Sequence, residues 1–380
     1  MNTIKLYDED SHLFEFEATV LSCEKCNGGY VTVLDKTAFF PEGGGQLSDK
    51  GTLGRHNVTD VKIKDGVIYH YTDGDYTVGA TVSGTLDKNR RFTFMQNHSG
   101  EHIVSGIINS LYGFDNVGFH LGEDVVTLDF NGILDREQLD KIEDTANRKI
   151  WENVKFKAYY PSKDELKKLS YRSKKEIAGD IRIVEVENTD ICACCAPHVN
   201  SACEIGIIKL LDFEKLRGGT RIYMKCGGYA IADYRRKYAS VYAVSGMLSA
   251  KQDEISSAVE SLNAKADGLA ADNARLKSEL AYRVVKDFNP ENTAVFGDNF
   301  DMKQLQILAD GLHKTYGGIR AAFSQNGEGY AFALCGDEAE LAEFFNSIRE
   351  KLDIKGGGRN GIRQGNIFNS KEKILEYFKG

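Results

Sequence analysis

The sequence predicts an α+β protein in four consecutive parts. These are a small β-barrel (1–92), an α+β core (93–236), a long coiled-coil helix (237–285) and a small C-terminal α/β domain (286–380). Three observations carry this reading. Short alternating or β-branched runs punctuated by Gly and Asp fill the first part. Helical and strand patterns alternate through the second and the last. Between them Leu248, Ile255, Leu262, Leu269 and Leu276 recur every seven residues.

The barrel is read from Phe14–Val20, Tyr30–Leu34, Val61–Lys64, Val67–Tyr71 and Ala80–Leu86. A barrel is the natural closure for that many short strands. Within it, Thr37-Ala-Phe-Phe-Pro-Glu-Gly43-Gly44-Gly45-Gln46-Leu-Ser-Asp49 departs from ordinary turn chemistry. Consecutive glycines let a backbone approach another group closely. A flexible hairpin tip is the bland alternative, and the flanking Thr37, aromatics and Gln46 favour a pocket wall. Cys23 and Cys26 have CxxC spacing, but no second pair at zinc-ribbon spacing follows, so they read as strand or turn thiols.

The core opens on a helix running from Arg90-Arg91 to Leu111, with His98 and His102 one turn apart on one face. Far downstream, Asp190-Ile-Cys192-Ala-Cys194-Cys195-Ala-Pro-His198 supplies a second close pair, Cys194 and His198. Three imidazoles and a thiolate form a zinc set, because zinc takes N and S ligands in tetrahedral geometry. Cys195 is an alternative ligand to Cys194. Either a closed structural site or a Lewis-acid site with an exchangeable position fits this set. His98-Ser-Gly-Glu101-His102 also fits the H-x-x-E-H pattern of a zinc protease, with Glu101 as general base. That reading needs a downstream carboxylate ligand and leaves the Cys–His pair unexplained. A zinc-stabilised RNA-binding adaptor without catalysis is the third reading.

One uninterrupted helix is expected from Val241 to about Arg283, with Gly246 and Gly268 its weak points. Its seam at Leu248–Leu276 is that of a helix pairing with a second copy or folding back as a hairpin. In the last part, Lys355-Gly-Gly-Gly-Arg359-Asn-Gly-Ile-Arg363-Gln-Gly reads as a glycine loop with three cations and no acid, which suits phosphate. A solvated glycine turn is the plain alternative.

The 380 residues carry a net charge of −8, 42% apolar and 27% charged residues, an ordinary soluble balance. The acidic balance argues mildly against nucleic acid but leaves room for local basic surfaces. The N-terminal stretch lacks an apolar signal segment, and no run has the apolar length of a membrane span. A cytoplasmic location is therefore expected, and eight cysteines read as thiols or metal ligands.

The residues around His98–His102 resemble the HxxxH helix of the alanyl-tRNA synthetase editing domain and its free-standing relatives, the AlaX-type editing factors. Thr37 to Asp49 is similar to that family's T-x-F-[FY]-x-x-x-G-G-Q-x-x-D motif, and Cys194–His198 followed by Glu204-Ile-Gly206 to its CxxxH…EIG segment. The 356–365 segment resembles the glycine-rich signature of the synthetase C-terminal domain, also found in DHH-type phosphoesterases. No Asp-His-His motif accompanies it. Nearly the whole chain matches in order, as the long free-standing form would, with no aminoacylation domain preceding. Cys195-Ala-Pro197 and Glu101 depart from the family pattern. The resemblance implies zinc-assisted hydrolysis of mischarged Ser-tRNA(Ala), and of Gly-tRNA(Ala). It implies one zinc at His98, His102, Cys194 and His198, Thr37 reading the serine hydroxyl, and Gln46 and Gly43–Gly45 lining the pocket. Lys215, Arg217 and Arg221 would meet phosphates near the tRNA 3′ end. The C-terminal domain, with Lys355, Arg359 and Arg363, would grip the tRNA body and pair two chains.

Overall fold

The computed structural model describes residues 2–173 and 180–378. The chain divides into two compact units, Met1–Val241 and Tyr242–Gly380. Among the described residues no helix is long and apolar enough to cross a membrane.

In the first unit β1 (Glu15–Cys26), β2 (Gly29–Leu34), β3 (Gly51–Leu53), β4 (His56–Lys64), β5 (Val67–Thr72) and β6 (Thr81–Leu86) come first. They pair as a closed ring in the order β1-β2-β5-β4-β3-β6. Strand alternation turns Phe16, Ala18 and Val20 inward, with Leu34, Val61 and Ile68 from the other strands. Cys23 and Cys26 lie on β1 as free thiols.

One polar pair is buried with that core. His70 Nδ1 lies 3.1 Å from the Thr32 carbonyl, which can only accept, so Nδ1 carries the proton. Nε2 then accepts from the Thr37 hydroxyl at 2.9 Å, and that oxygen accepts the Phe39 N–H at 3.1 Å. Burial pushes the His70 imidazole down to about 4 from 6.5. The unfolded chain therefore binds a proton here below about pH 6.5 and the folded chain only below about 4. Stability is full above that window and is lost as pH falls through it, by up to about 3 kcal/mol. Urea midpoints measured from pH 7 to 4 should show this fall, and His70→Asn should flatten it.

The rest of this unit is built on α1 (Lys88–Tyr112). The Asp87 side chain caps it by accepting the Arg90 N–H, and Gly113 ends it in the left-handed region. Then come β7 (Asn116–Leu121), β8 (Val126–Phe130), α2 (Arg136–Trp151), β9 (Phe156–Tyr159), β10 (Ile183–Val186), β11 (Asp190–Ala193), β12 (Ile208–Leu216) and β13 (Gly219–Cys226). One sheet has the order β12-β13-β8-β7 and a second β9-β10-β11. α1 packs against α2, β7, β11 and β13, so its middle turns are buried nearly all round. That explains a helix apolar on more than one face.

A buried ion pair ties α1 to the barrel. Arg91 is fully buried, and its Nε lies 3.1 and 3.0 Å from the two Asp49 carboxylate oxygens. Its Nη2 donates to Asp49 and to the Ala38 carbonyl, and its Nη1 to the Ser11 carbonyl. Asp49 also accepts the Phe40 N–H at 2.7 Å.

α3 (Gly227–Leu248) contains the boundary between the units, and α4 (Ile255–Lys286) follows. The expected single helix over 241–283 is thus two. Ser249 takes a left-handed conformation, and the Ser245 hydroxyl bonds the Ala250 carbonyl. Serines compete for backbone groups, and with Gly246 they make this the weak turn. Gly268 sits inside α4 without breaking it.

In the second unit α4 buries Ala281 and Val285 beside α5 (Met302–Tyr316). The sheet of β14 (Ala294–Gly297), β15 (Arg320–Asn326), β16 (Gly329–Cys335), β17 (Ile354–Gly357) and β18 (Ile362–Ile367) runs in the order β14-β15-β16-β18-β17. α6 (Glu338–Arg349) packs on β18, and α7 (Lys371–Leu375) closes the chain. The expected glycine loop at 355–365 is mostly an antiparallel strand pair, with Gly356 opposite Gly365. Residues 358–361 form the connecting turn, where Glu338 accepts the Gly361 N–H.

Candidate metal centre

The geometry gathers all four expected ligands. The ligand atoms of His98, His102, Cys194 and His198 lie within 4.8 Å of one another. Cys194 Sγ is 3.5 Å from His98 Nε2 and 3.4 Å from His198 Nε2. The His98 and His102 rings, one helical turn apart, face His198 with centroids 4.8 and 4.6 Å away.

Each imidazole is held by its other nitrogen. His98 Nδ1 donates to Gln46 Oε1 at 2.8 Å, and His102 Nδ1 to Asp190 Oδ2 at 2.9 Å. His198 Nδ1 lies 3.1 Å from the Ser99 hydroxyl, which also accepts the Val199 N–H. Partners at Nδ1 turn Nε2 toward a common point, as metal-ligating histidines require. Burial pushes the Cys194 thiol well above its ordinary range, a preference that a coordinated cation reverses. The donor set therefore fits zinc.

The glycine segment brings Gln46 to this place. Gln46 bridges to Leu121 of β7, and Leu121 N–H donates to the Gly45 carbonyl at 2.8 Å. Gly45 has φ +84°, and a Cβ there would lie 2.5 Å from the Phe119 carbonyl oxygen. Phe119 itself lies 4.6 Å from the His98 ring. Gln46 is 1% exposed, and its Nε2 has no hydrogen-bond partner among the described residues. It borders a cavity of about 370 Å³ that Gly43, Gly45, Lys62 and His120 also line.

The remaining expected residues fall in different settings. Thr37 is fully buried, with its hydroxyl proton given to His70. Glu101 is buried beside the centre, where Ser105 and Asn116 donate to its Oε1 at 2.6 and 2.8 Å. The four-residue group contains a thiol where the H-x-x-E-H pattern would need a carboxylate ligand. Cys195 is exposed, and its Sγ would be 3.6 Å from a Cβ on Gly44. Lys215 and Arg217 are exposed near the β12–β13 turn, while Arg221 is held by Asp129 in two 2.7 Å bonds. In the second unit Lys355 and Arg359 are exposed. Arg363 is mostly buried against Glu338 and holds that carboxyl down to about 2. Sequence reasoning missed Asp190, Ser99 and Phe119. Asp190, two residues before Cys192, and Ser99, next to His98, stood within recognised clusters, whereas Phe119 did not.

Two family models match the chain. Residues 5–90 match tRNA synthetases class II (A), and residues 181–223 match the threonyl and alanyl tRNA synthetase second additional domain. The alanine–tRNA ligase of Thermofilum pendens is 30% identical over 97% of this chain. That of Ignicoccus hospitalis is 28% identical over 98%. The chain spans only 43% and 42% of those two ligases. The alanyl-tRNA editing protein Aarsd1-A of Xenopus laevis is 29% identical over 94% of this chain and 92% of its own length. By these matches the chain belongs to the family of alanyl-tRNA editing proteins, which is related to the alanine–tRNA ligases.

Proposed function

We propose that this chain is a trans-editing hydrolase that cleaves the ester of mischarged alanine tRNA, with seryl esters the main substrate and glycyl esters a second one. The observation that carries the reading is the preformed set of three Nδ1-anchored imidazoles and one thiol. His98, His102, Cys194 and His198 would hold one zinc, which supplies a Lewis acid for the ester carbonyl or its water. Gln46, with Nε2 unspent, orients the ester by donating to it, while its Oε1 keeps His98 in place. Thr37 gives its proton to His70, so it meets a serine hydroxyl as an acceptor. Alanine offers that oxygen nothing, which separates the two esters where size alone cannot. Glu101 is the buried carboxylate beside His102 and keeps α1 in register through Ser105 and Asn116.

Gly43–Gly45 let the RNA end approach, and the exposed Lys215, Arg217, Lys355 and Arg359 meet phosphates. Arg221 and Arg363 would join them only by exchanging Asp129 and Glu338. The exposed row Leu262, Leu269 and Leu276 on α4 supports pairing with a second copy. The cytoplasm is the expected compartment.

The test is deacylation of Ser-tRNA(Ala) beside Ala-tRNA(Ala), with zinc measured on the same sample. Rapid loss of the seryl ester alone, with about one zinc per chain, is the expected result. Zinc without deacylation would favour an RNA-binding adaptor. Thr37→Val should cut seryl over alanyl discrimination at least about tenfold, the worth of one good hydrogen bond. Unchanged discrimination would remove Thr37 from this role.

A further inference from the structure

The three imidazoles are not held alike. His98 meets a neutral amide and His198 a hydroxyl, whereas His102 meets a carboxylate. That carboxylate is itself gripped. Arg172 Nε donates to Asp190 Oδ1 at 2.7 Å and Nη2 to Oδ2 at 2.8 Å. Oδ2 therefore receives both the guanidinium and the His102 Nδ1–H.

The backbone fixes both members. Arg172 N–H donates to the Ile191 carbonyl, and its own carbonyl accepts the Ala193 N–H, so Arg172 lies alongside β11. On α1, Gly106 is one turn beyond His102, and a Cβ there would lie 2.4 Å from the Thr189 carbonyl oxygen. Its absence lets Asp190 come within reach of the helix. The Asp190 side chain is 2% exposed and that of Arg172 15%.

We propose that Arg172 and Asp190 are positioning residues for His102. The two-pronged guanidinium fixes the plane of the carboxylate. The carboxylate fixes the imidazole with its proton on Nδ1 and makes Nε2 a better donor to a metal. The inference rests on the metal reading of the site. Asp190 and Cys192 also converge with His102 within 4.8 Å, but this is not a second ion site. Arg172 already neutralises the carboxylate, and His102 Nδ1 cannot both donate a proton and bind a cation. A staple joining β11 to α1 would use the same contacts, so the test must tell it apart from positioning.

Zinc affinity of the full chain is measured by competition with a chromophoric chelator. Histidine tautomers are read in the metal-free chain from long-range ¹⁵N–¹H spectra, and urea midpoints are recorded alongside. Asp190→Asn and Arg172→Met should each weaken zinc about ten- to a hundredfold. His102 should lose its Nδ1–H preference in Asp190→Asn. Arg172 borders a cavity of about 880 Å³, so methionine is accommodated without overpacking. Arg172→Lys, which keeps the charge without the fork, should fall between wild type and Arg172→Met, and it carries the test should Asp190→Asn fail to fold. Variants that keep wild-type zinc affinity within about twofold, with only lowered urea midpoints, would reduce the pair to a staple and overturn the proposal. A wild-type chain that binds no zinc would instead overturn the metal reading itself, and this inference with it.

Discussion

Cys194→Ala and His98→Ala should each lose zinc and seryl-ester hydrolysis together, with activity down at least about a hundredfold. Loss of a partner one step removed from a metal already costs ten- to a hundredfold, and these residues are the proposed ligands themselves. Cys194 is the sole thiol of the four-residue group, with His98 and His198 at 3.5 and 3.4 Å from its sulfur. No imidazole moves into its place without breaking the bond to Gln46, Asp190 or Ser99. Cys195→Ala is the control, because Cys195 lies beside the glycine segment and outside the four converging residues. Metal content and initial deacylation rates on the same samples decide the matter. Retained zinc in Cys194→Ala, with loss in Cys195→Ala, would exchange the two cysteines. A zinc-free Cys194→Ala with full activity would make the metal structural or incidental.

Arg91→Met should lower the free energy of unfolding by about 3–5 kcal/mol, the cost of leaving one charge of a buried pair alone. Asp49 is 1% exposed, and Arg91 is its charged partner. The double change Arg91→Met with Asp49→Leu should recover part of that loss, since an apolar pair needs no compensation. Recovery stays incomplete because the Phe40 N–H loses its acceptor. The same pair anchors the segment that ends in Gln46, so Arg91→Met should also weaken hydrolysis. Urea unfolding of the four chains gives the coupling energy. Losses that simply add would show that the two charges act independently.

Much of the site was legible because its signals are local. His98 and His102 are four apart on one helix, and Cys194 and His198 are four apart in one turn. Such spacings survive whatever the rest of the chain does. The strand segments were legible for the same reason, since alternation follows from the pleat. Other features depended on groups far apart in sequence. Gln46 reaches His98 across 52 positions and Asp190 reaches His102 across 88. Neither residue type announces such a partner. The sequence reads Arg221 and Arg363 as phosphate ligands, and the fold sets Asp129 and Glu338 beside them. Charge in a sequence does not reveal whether an opposite charge folds onto it.

By itself the sequence determined the three imidazoles and the neighbouring thiols from which the donor set is drawn, the helix that spaces two of the imidazoles, and the glycines that permit close approach. Short-range periodicity and side-chain chemistry suffice for these. Tertiary structure decided which nitrogen of each imidazole faces the sulfur, because Gln46, Asp190 and Ser99 take the other one. It also decided that the Thr37 hydroxyl accepts, since His70 takes its proton. It paired Gly356 with Gly365 in a ladder and ended a helix at Ser249. These outcomes turn on hydrogen bonds made between distant segments or on competition within a single turn, and no spacing rule encodes either.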